Sequence, residues 1–235
     1  MSTTLSERDL EACVRAYVQG QVYALLAEAL ADPSHVLEGR LLVDLDRVLS
    51  ESGAPEAVRA DLAELASAAA DLRARPRELE REYTSLFVKA EVPPYESSYL
   101  PGGRLTQELA DVAGFLRAFG LRTNLERPDH IVSELEFVAF LCVKESIALG
   151  NGLSSEAGIC RDARAKFVRD HLGRWLELYH RGLAEQARSR VYPLLLGIVR
   201  PIVDRDAAFL GVTPEPLAEV PSRDADSLPR CGVAR

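Results

Sequence analysis

The chain has 235 residues, 47% apolar and 27% charged, enough for one large domain or two small ones with a real core. Its 28 Lys and Arg stand against 36 Asp and Glu, a formal charge of −8. That balance argues against nucleic acid, whose phosphates call for basic surface, and favours a basic partner.

The opening run Met1-Ser2-Thr3-Thr4-Leu5-Ser6-Glu7 has neither a basic nor an apolar region, so no signal peptide is expected. Helical periodicity then dominates, and β-type alternation is almost absent. Leu10, Cys13, Val14, Tyr17 and Val18 step at three and four, and the stripe continues through Leu25, Leu26 and Leu30 until Asp32-Pro33 stops it. A second stripe, Leu41, Leu42, Leu45, Val48 and Leu49, ends at Ser52-Gly53-Ala54-Pro55. A third runs through Val58, Leu62, Leu65, Ala69 and Leu72 among good helix formers. Pro76 opens a fourth, with Leu79, Tyr83, Leu86 and Phe87.

Residues 88–103 hold three prolines and two glycines, the longest irregular stretch inside the domain. Such loops in helical proteins are usually functional or mobile. Helices resume at Leu105 to Phe119, Asp129 to Leu149, Ser155 to about Leu172, Gly173 to Arg188 and Arg190 to Leu210. After Gly211 come four prolines and little apolar density. The expected fold is all-α, a single-domain bundle of roughly nine helices over residues 1–211, with a disordered tail over 212–235.

The longest apolar runs, such as Tyr192 to Val199, are too short to span a bilayer, so stable membrane insertion is not expected. None of Cys13, Cys142, Cys160 and Cys231 forms a CxxC pair, which points to a reducing, cytoplasmic setting without a disulfide framework.

Three constellations stand out. In Glu82-Tyr83-Thr84-Ser85-Leu86-Phe87, Tyr83, Leu86 and Phe87 share a helix face, either as core or as a binding surface. In Val92-Pro93-Pro94-Tyr95-Glu96-Ser97-Ser98-Tyr99, the prolines lower the entropy lost when the loop orders against a partner. Tyr95 and Tyr99 add rigid rings with polar tips, and Glu96 is placed to meet an arginine. In Arg127-Pro128-Asp129-His130-Ile131, followed by Glu134 and Leu135, Asp129 is a candidate helix cap, and Asp129 with His130 is a candidate polar contact for a peptide. His171, Trp175 and Tyr179 lie at intervals of four further on and read mostly as core.

Catalytic templates fail: there is no GxSxG elbow and no GxxxxGK[ST] loop. Cys142 lies in an apolar helix, a poor place for a reactive thiolate. A metal-dependent helical enzyme using His130, Glu134 and a distant histidine such as His171 is one rival reading. A scaffold that tethers other subunits through its acidic tail is another.

Together, Tyr83 to Phe87, Pro93 to Tyr99, and Pro128-Asp129-His130-Ile131 with Glu134-Leu135 resemble the TorD/DmsD/NarJ family of molybdoenzyme maturation chaperones, over about Leu10 to Leu210. The resemblance implies a TorD-like helical fold, no catalysis, no metal and no cofactor. It implies a cytoplasmic chaperone for the apo catalytic subunit of a molybdopterin oxidoreductase. Such a chaperone binds that subunit's N-terminal twin-arginine or remnant leader, assists cofactor insertion and delays export until folding. The positions implicated in leader binding fall on Tyr83, Leu86, Phe87, Pro94, Tyr95, Glu96, Asp129 and His130. The family's domain-swapped dimers would make residues 88–103 a hinge for a homodimer. An acidic, partly apolar groove suits two arginines followed by an apolar stretch.

Overall fold

The first helix begins where Ser6 accepts the backbone N–H of Asp9 at 3.2 Å, satisfying one of the donors a helix start leaves free. The computed structural model describes residues 6–100, 105–122 and 127–217. Helix α1 spans Glu7–Ala31. Asp32 stops it, as its place before a proline suggests, but also starts another helix, because its carboxylate accepts the Ser34 N–H at 2.8 Å. That short helix, α2 (Pro33–Glu38), has no apolar stripe long enough to reveal it in the sequence. Next come α3 (Arg40–Glu51), α4 (Glu56–Leu72) and α5 (Pro76–Tyr83). Helix α5 loosens into a π turn, Thr84–Val88.

Beyond the irregular segment lie α6 (Leu105–Ala118), α7 (Ile131–Gly150) and α8 (Ser154–Phe167). Helix α8 passes through a second π turn, Val168–Leu172, straight into α9 (Gly173–Gln186). Helix α10 (Val191–Leu210) ends on Gly211, which takes the left-handed φ of 68° that closes many helices. The described residues form ten α-helices: the nine expected of an all-α bundle, α8 and α9 among them as separate helices, and α2 in addition. Among the described residues there is no strand, only an isolated bridge between Tyr95 and His130.

Helices α1 and α7 form the central pair. Gly20 lets them close in: a Cβ there would stand 3.1 Å from Val143 Cγ2 and 3.2 Å from the Ala139 carbonyl oxygen. Helix α7 is apolar around most of its circumference and is buried accordingly. Helix α10 packs against α4 and α9. Tyr23, Phe137, Phe167, Trp175, Tyr179 and Tyr192 are fully enclosed. Each such ring contributes on the order of 4–6 kcal/mol of apolar burial before chain entropy opposes it.

A paired polar cluster sits inside this helical core. Arg164 reaches Cys142 Sγ at 2.7 Å, Glu145 at 3.2 Å and Asp206 at 3.6 Å. Tyr23 donates to Asp206 at 3.1 Å, joining α1 to α10. Burial pushes the Cys142 thiol up to about 12, which keeps it unreactive, as its apolar helix suggests.

Residues 212–217, counted with the tail on sequence grounds, fold back onto α9. Leu217 donates its N–H to the Arg174 carbonyl at 2.9 Å, and Pro214 lies where a Cβ on Gly173 would stand 2.5 Å away. The rest of the expected tail, 218–235, lies outside the described residues. No described helix is long and apolar enough to cross a membrane.

Candidate functional site

The segment from α5 to residue 100 is shaped by its own backbone bonds. Thr84 donates its hydroxyl back to the Glu80 carbonyl at 2.9 Å, and Lys89 N–H bonds Thr84 O at 2.9 Å, the five-residue step of a π turn. Ala90 takes a left-handed φ of 57°, a strained setting for a residue with a Cβ. The chain then doubles back, with Val92 N–H on Leu86 O at 2.9 Å. Pro93 and Pro94 have no N–H to offer, so they contribute only acceptors. Pro93 O takes the Tyr99 hydroxyl at 3.0 Å, and Pro94 O takes the Ile131 N–H at 2.9 Å. Glu96 N–H reaches Asp129 O at 3.0 Å. These last two bonds fasten the tyrosine loop across the start of α7.

Asp129 is fully buried beneath that junction. Its carboxylate accepts Ser97 N–H at 3.1 Å, the Ser97 hydroxyl at 2.6 Å, and Arg127 at 3.1 and 2.8 Å. Arg127 also donates to the Ser97 hydroxyl and lays its guanidinium 4.0 Å from the Tyr95 ring centroid. The Tyr95 ring meets His130 edge-on at 5.3 Å. Tyr95, Asp129 and His130 therefore share one place, as the sequence motifs suggest. The cap assignment differs: His130, not Asp129, caps α7, because its Nδ1 accepts the Val132 N–H at 3.1 Å. Burial, reinforced by Arg127 and opposed by Asp129, holds the His130 imidazolium pKa down to about 4, so the ring is neutral and free to accept.

Behind the loop lies an acid-rich cluster. Glu96 is fully buried and faces His171 Nδ1 at 3.0 Å, not an arginine as its loop-tip position suggests. Burial raises its carboxyl, and the His171 contact opposes the rise. Glu134, also fully buried, accepts the Trp175 indole N–H at 3.1 Å. Complete burial, then the neighbouring Glu96 charge, holds its carboxyl well above the usual range. Glu108 and Asp111 of α6 approach His171 at 3.8 and 3.4 Å. Burial works against the imidazolium, but Glu96, Asp111 and Glu108 outweigh it and shift His171 upward. Tyr99 stacks on Trp175 at 5.4 Å, packing the loop against α9.

The helix-end residues have a different setting. Leu86 and Phe87 are core, with Phe87 edge-on to Tyr192 at 4.9 Å. Tyr83 is half-buried, meets Phe87 at 5.1 Å and donates to the Ala31 carbonyl at 3.0 Å. Pro94 is buried beneath the loop. Of the eight expected residues, Tyr95 and His130 are the pair that combine partial exposure with a place at the loop junction.

Sequence reasoning missed Ser97, Arg127, Glu108 and Asp111 as members of this site. Arg127 stands two residues before Asp129, a spacing that signals nothing. The other three contacts join separate elements. The metal rival's ligand set also differs: the described residues that could hold an ion together are Glu96, Glu108 and His171, without His130.

Two hollows lie elsewhere. One of about 730 Å³, flanked by Leu10, Val14, Val18 and Phe209, has Arg164 and Asp206 in its lining. Another of about 930 Å³, charged along Arg75, Glu78, Arg81 and Arg190, touches Leu86. Neither is lined by Tyr95, Asp129 or His130.

The sequence matches known proteins. Residues 51–180 match the family described as the nitrate reductase delta subunit. The chain is 34% identical over 149 residues to the selenate reductase assembly chaperone protein of Thauera selenatis, covering 60% of this chain and 75% of that one. It is 30% identical to the chlorate reductase assembly chaperone protein of Ideonella dechloratans, with the same shares covered. To the perchlorate reductase assembly chaperone protein of Dechloromonas aromatica it is 27% identical over 220 residues, 87% of this chain and 95% of that one.

Proposed function

This chain belongs to the nitrate reductase delta subunit family, the NarJ-type family its motifs resemble, and from that membership we propose that it is a cytoplasmic assembly chaperone for the catalytic subunit of one molybdenum-containing reductase. Its named relatives are assembly chaperones, so it is a non-enzyme. It binds the N-terminal leader, or remnant leader, of the apo catalytic subunit. Binding keeps that subunit open for cofactor insertion and holds back export until it has folded.

The observation that carries this reading is the Arg127 clamp. An arginine already lies on the Tyr95 ring and forks onto Asp129, the two contacts a leader arginine would seek. A guest arginine takes Arg127's place over Tyr95, and His130 receives the chain beside it. Asp129, Glu96, Pro94, Leu86 and Phe87 are buried, so they position this face, with Tyr83 steadying the helix end. Calorimetry with the N-terminal peptide of the reductase catalytic subunit encoded beside this chain tests the reading. Binding should appear with the wild type and fall about tenfold with Tyr95→Ala, in line with the loss of one desolvated cation–ring contact. A leader that does not bind the wild type ends the proposal.

A further inference from the structure

The acid-rich cluster behind the clamp shares Glu96 with the face assigned to leader binding, but Glu108, His171 and Asp111 have no part in that reading. Three elements meet there: the loop through Glu96, α6 through Glu108, and the π turn between α8 and α9 through His171. Their ligand atoms lie within 4.8 Å of one another. His171 Nδ1 is 3.0 Å from Glu96 Oε2 and 3.8 Å from Glu108 Oε1. Donors bound to a first-row divalent ion at about 2.0–2.2 Å stand about 3–4 Å apart, so these separations fit a single ion.

Charge points the same way. Glu96, Glu108 and Asp111 surround one imidazole, with Glu134 behind Glu96, and among the described residues Arg174 is the cation paired with them, 3.7 Å from Glu108. Carboxylates crowded in a partly dry space need compensating positive charge. Glu96 is fully buried, and besides His171 its carboxylate meets the raised carboxyl of Glu134, an acid and not a cation. His171 Nε2 is without a directed bond, though Asp111 Oδ2 stands 3.4 Å away. A carboxylate behind a ligating imidazole is the usual device for orienting it. Asp111 is 64% exposed and Glu108 15%, which gives an ion a path in from the α6 side.

We propose that Glu96, Glu108 and His171 form a binding site for one divalent transition cation, of which zinc is the best match, that ties the tyrosine loop to α6 and to the α8–α9 rod. The ion takes the place of the Nδ1 proton, which leaves to solvent. Oxygen and nitrogen donors with one open position suit zinc, and the hard-cation preference for all-oxygen shells disfavours magnesium and calcium. Bound there, the ion fixes where Glu96, and therefore its neighbour Tyr95, can sit.

The test uses the full chain without a histidine tag, stripped with a chelator and titrated with zinc sulfate. Native mass spectrometry should count one zinc per chain, and the thermal midpoint should rise with zinc and not with magnesium. Absorption at the zinc edge should show one imidazole and oxygen neighbours without sulfur. Glu108→Gln, at a partly exposed position, should keep the fold and lose at least tenfold in zinc affinity. His171→Ala should lose binding altogether, while His180→Ala, on α9 but outside the cluster, should bind as wild type. Zinc bound through sulfur, undiminished affinity in Glu108→Gln, or no zinc retained by the wild type would each overturn the proposal. Leader binding is measured separately, so the failure of one reading leaves the other standing.

Discussion

Two buried polar clusters in this molecule differ in construction. The Arg164 cluster lies between long helices, and its charges are matched: one guanidinium faces Glu145 and Asp206, and Arg161 adds a bond to Glu145 at 2.7 Å. The cluster behind the tyrosine loop crowds carboxylates around one histidine and is covered by an irregular segment. The first locks helices together. The second and the Arg127 clamp beside it join a loop to helix starts through buried carboxylates and a few partly exposed side chains. In the proposed chaperone the first cluster belongs to the rigid frame, and the clamp is the face the proposed guest would meet.

Arg164→Leu should have the largest effect on this contrast. It leaves Glu145 and Asp206 without their shared counter-charge, and breaking a buried pair typically costs about 3–5 kcal/mol. Denaturant unfolding measures it; a loss under about 1 kcal/mol would mean that the core cluster is no more rigid than the loop cluster. Asp129→Ala should come next, at about 2–3 kcal/mol, because a buried charged acceptor of four hydrogen bonds disappears while Arg127, 30% exposed, regains water. Hydrogen exchange should quicken in residues 93–99 and stay slow in α7 beyond its first turn. Uniform quickening would merge the two regions into one cooperative unit.

Acid should then separate the regions through His130. Its folded pKa of about 4 lies below the ordinary 6.5. Above pH 6.5 the ring is neutral in both states and pH has no leverage through it. As pH falls from 6.5 towards 4 the unfolded chain takes up a proton that the folded chain refuses, so stability declines across that window. Partial exposure reduces the effect to on the order of 1–2 kcal/mol. His130→Asn, which can still accept the Val132 N–H, should flatten that part of the stability profile; an unchanged profile would remove His130 as its source. Tyr95→Ala should disturb the fold least, by under about 1 kcal/mol, since one half-exposed cation–ring contact is lost. A Tyr95 variant that melts several degrees lower would place the ring in the frame and not on the guest-facing side.

The amino-acid sequence by itself determined every described helix but α2, the breaks at Asp32 and Gly211, and the segments that carry the family resemblance. Apolar spacing of three and four, prolines and glycines act over a few residues, so their consequences can be read locally. The gathering of Tyr95, Asp129 and His130 was legible only through that resemblance. Tertiary structure alone decided which charges would be buried and what would face them. Ser97 meets Asp129 across 32 positions, and Glu96 meets His171 across 75. Glutamate and aspartate read as surface residues in a sequence. They end inside here because a proline-stiffened loop folds over them, and closure of a long loop leaves no mark on the residues it brings together.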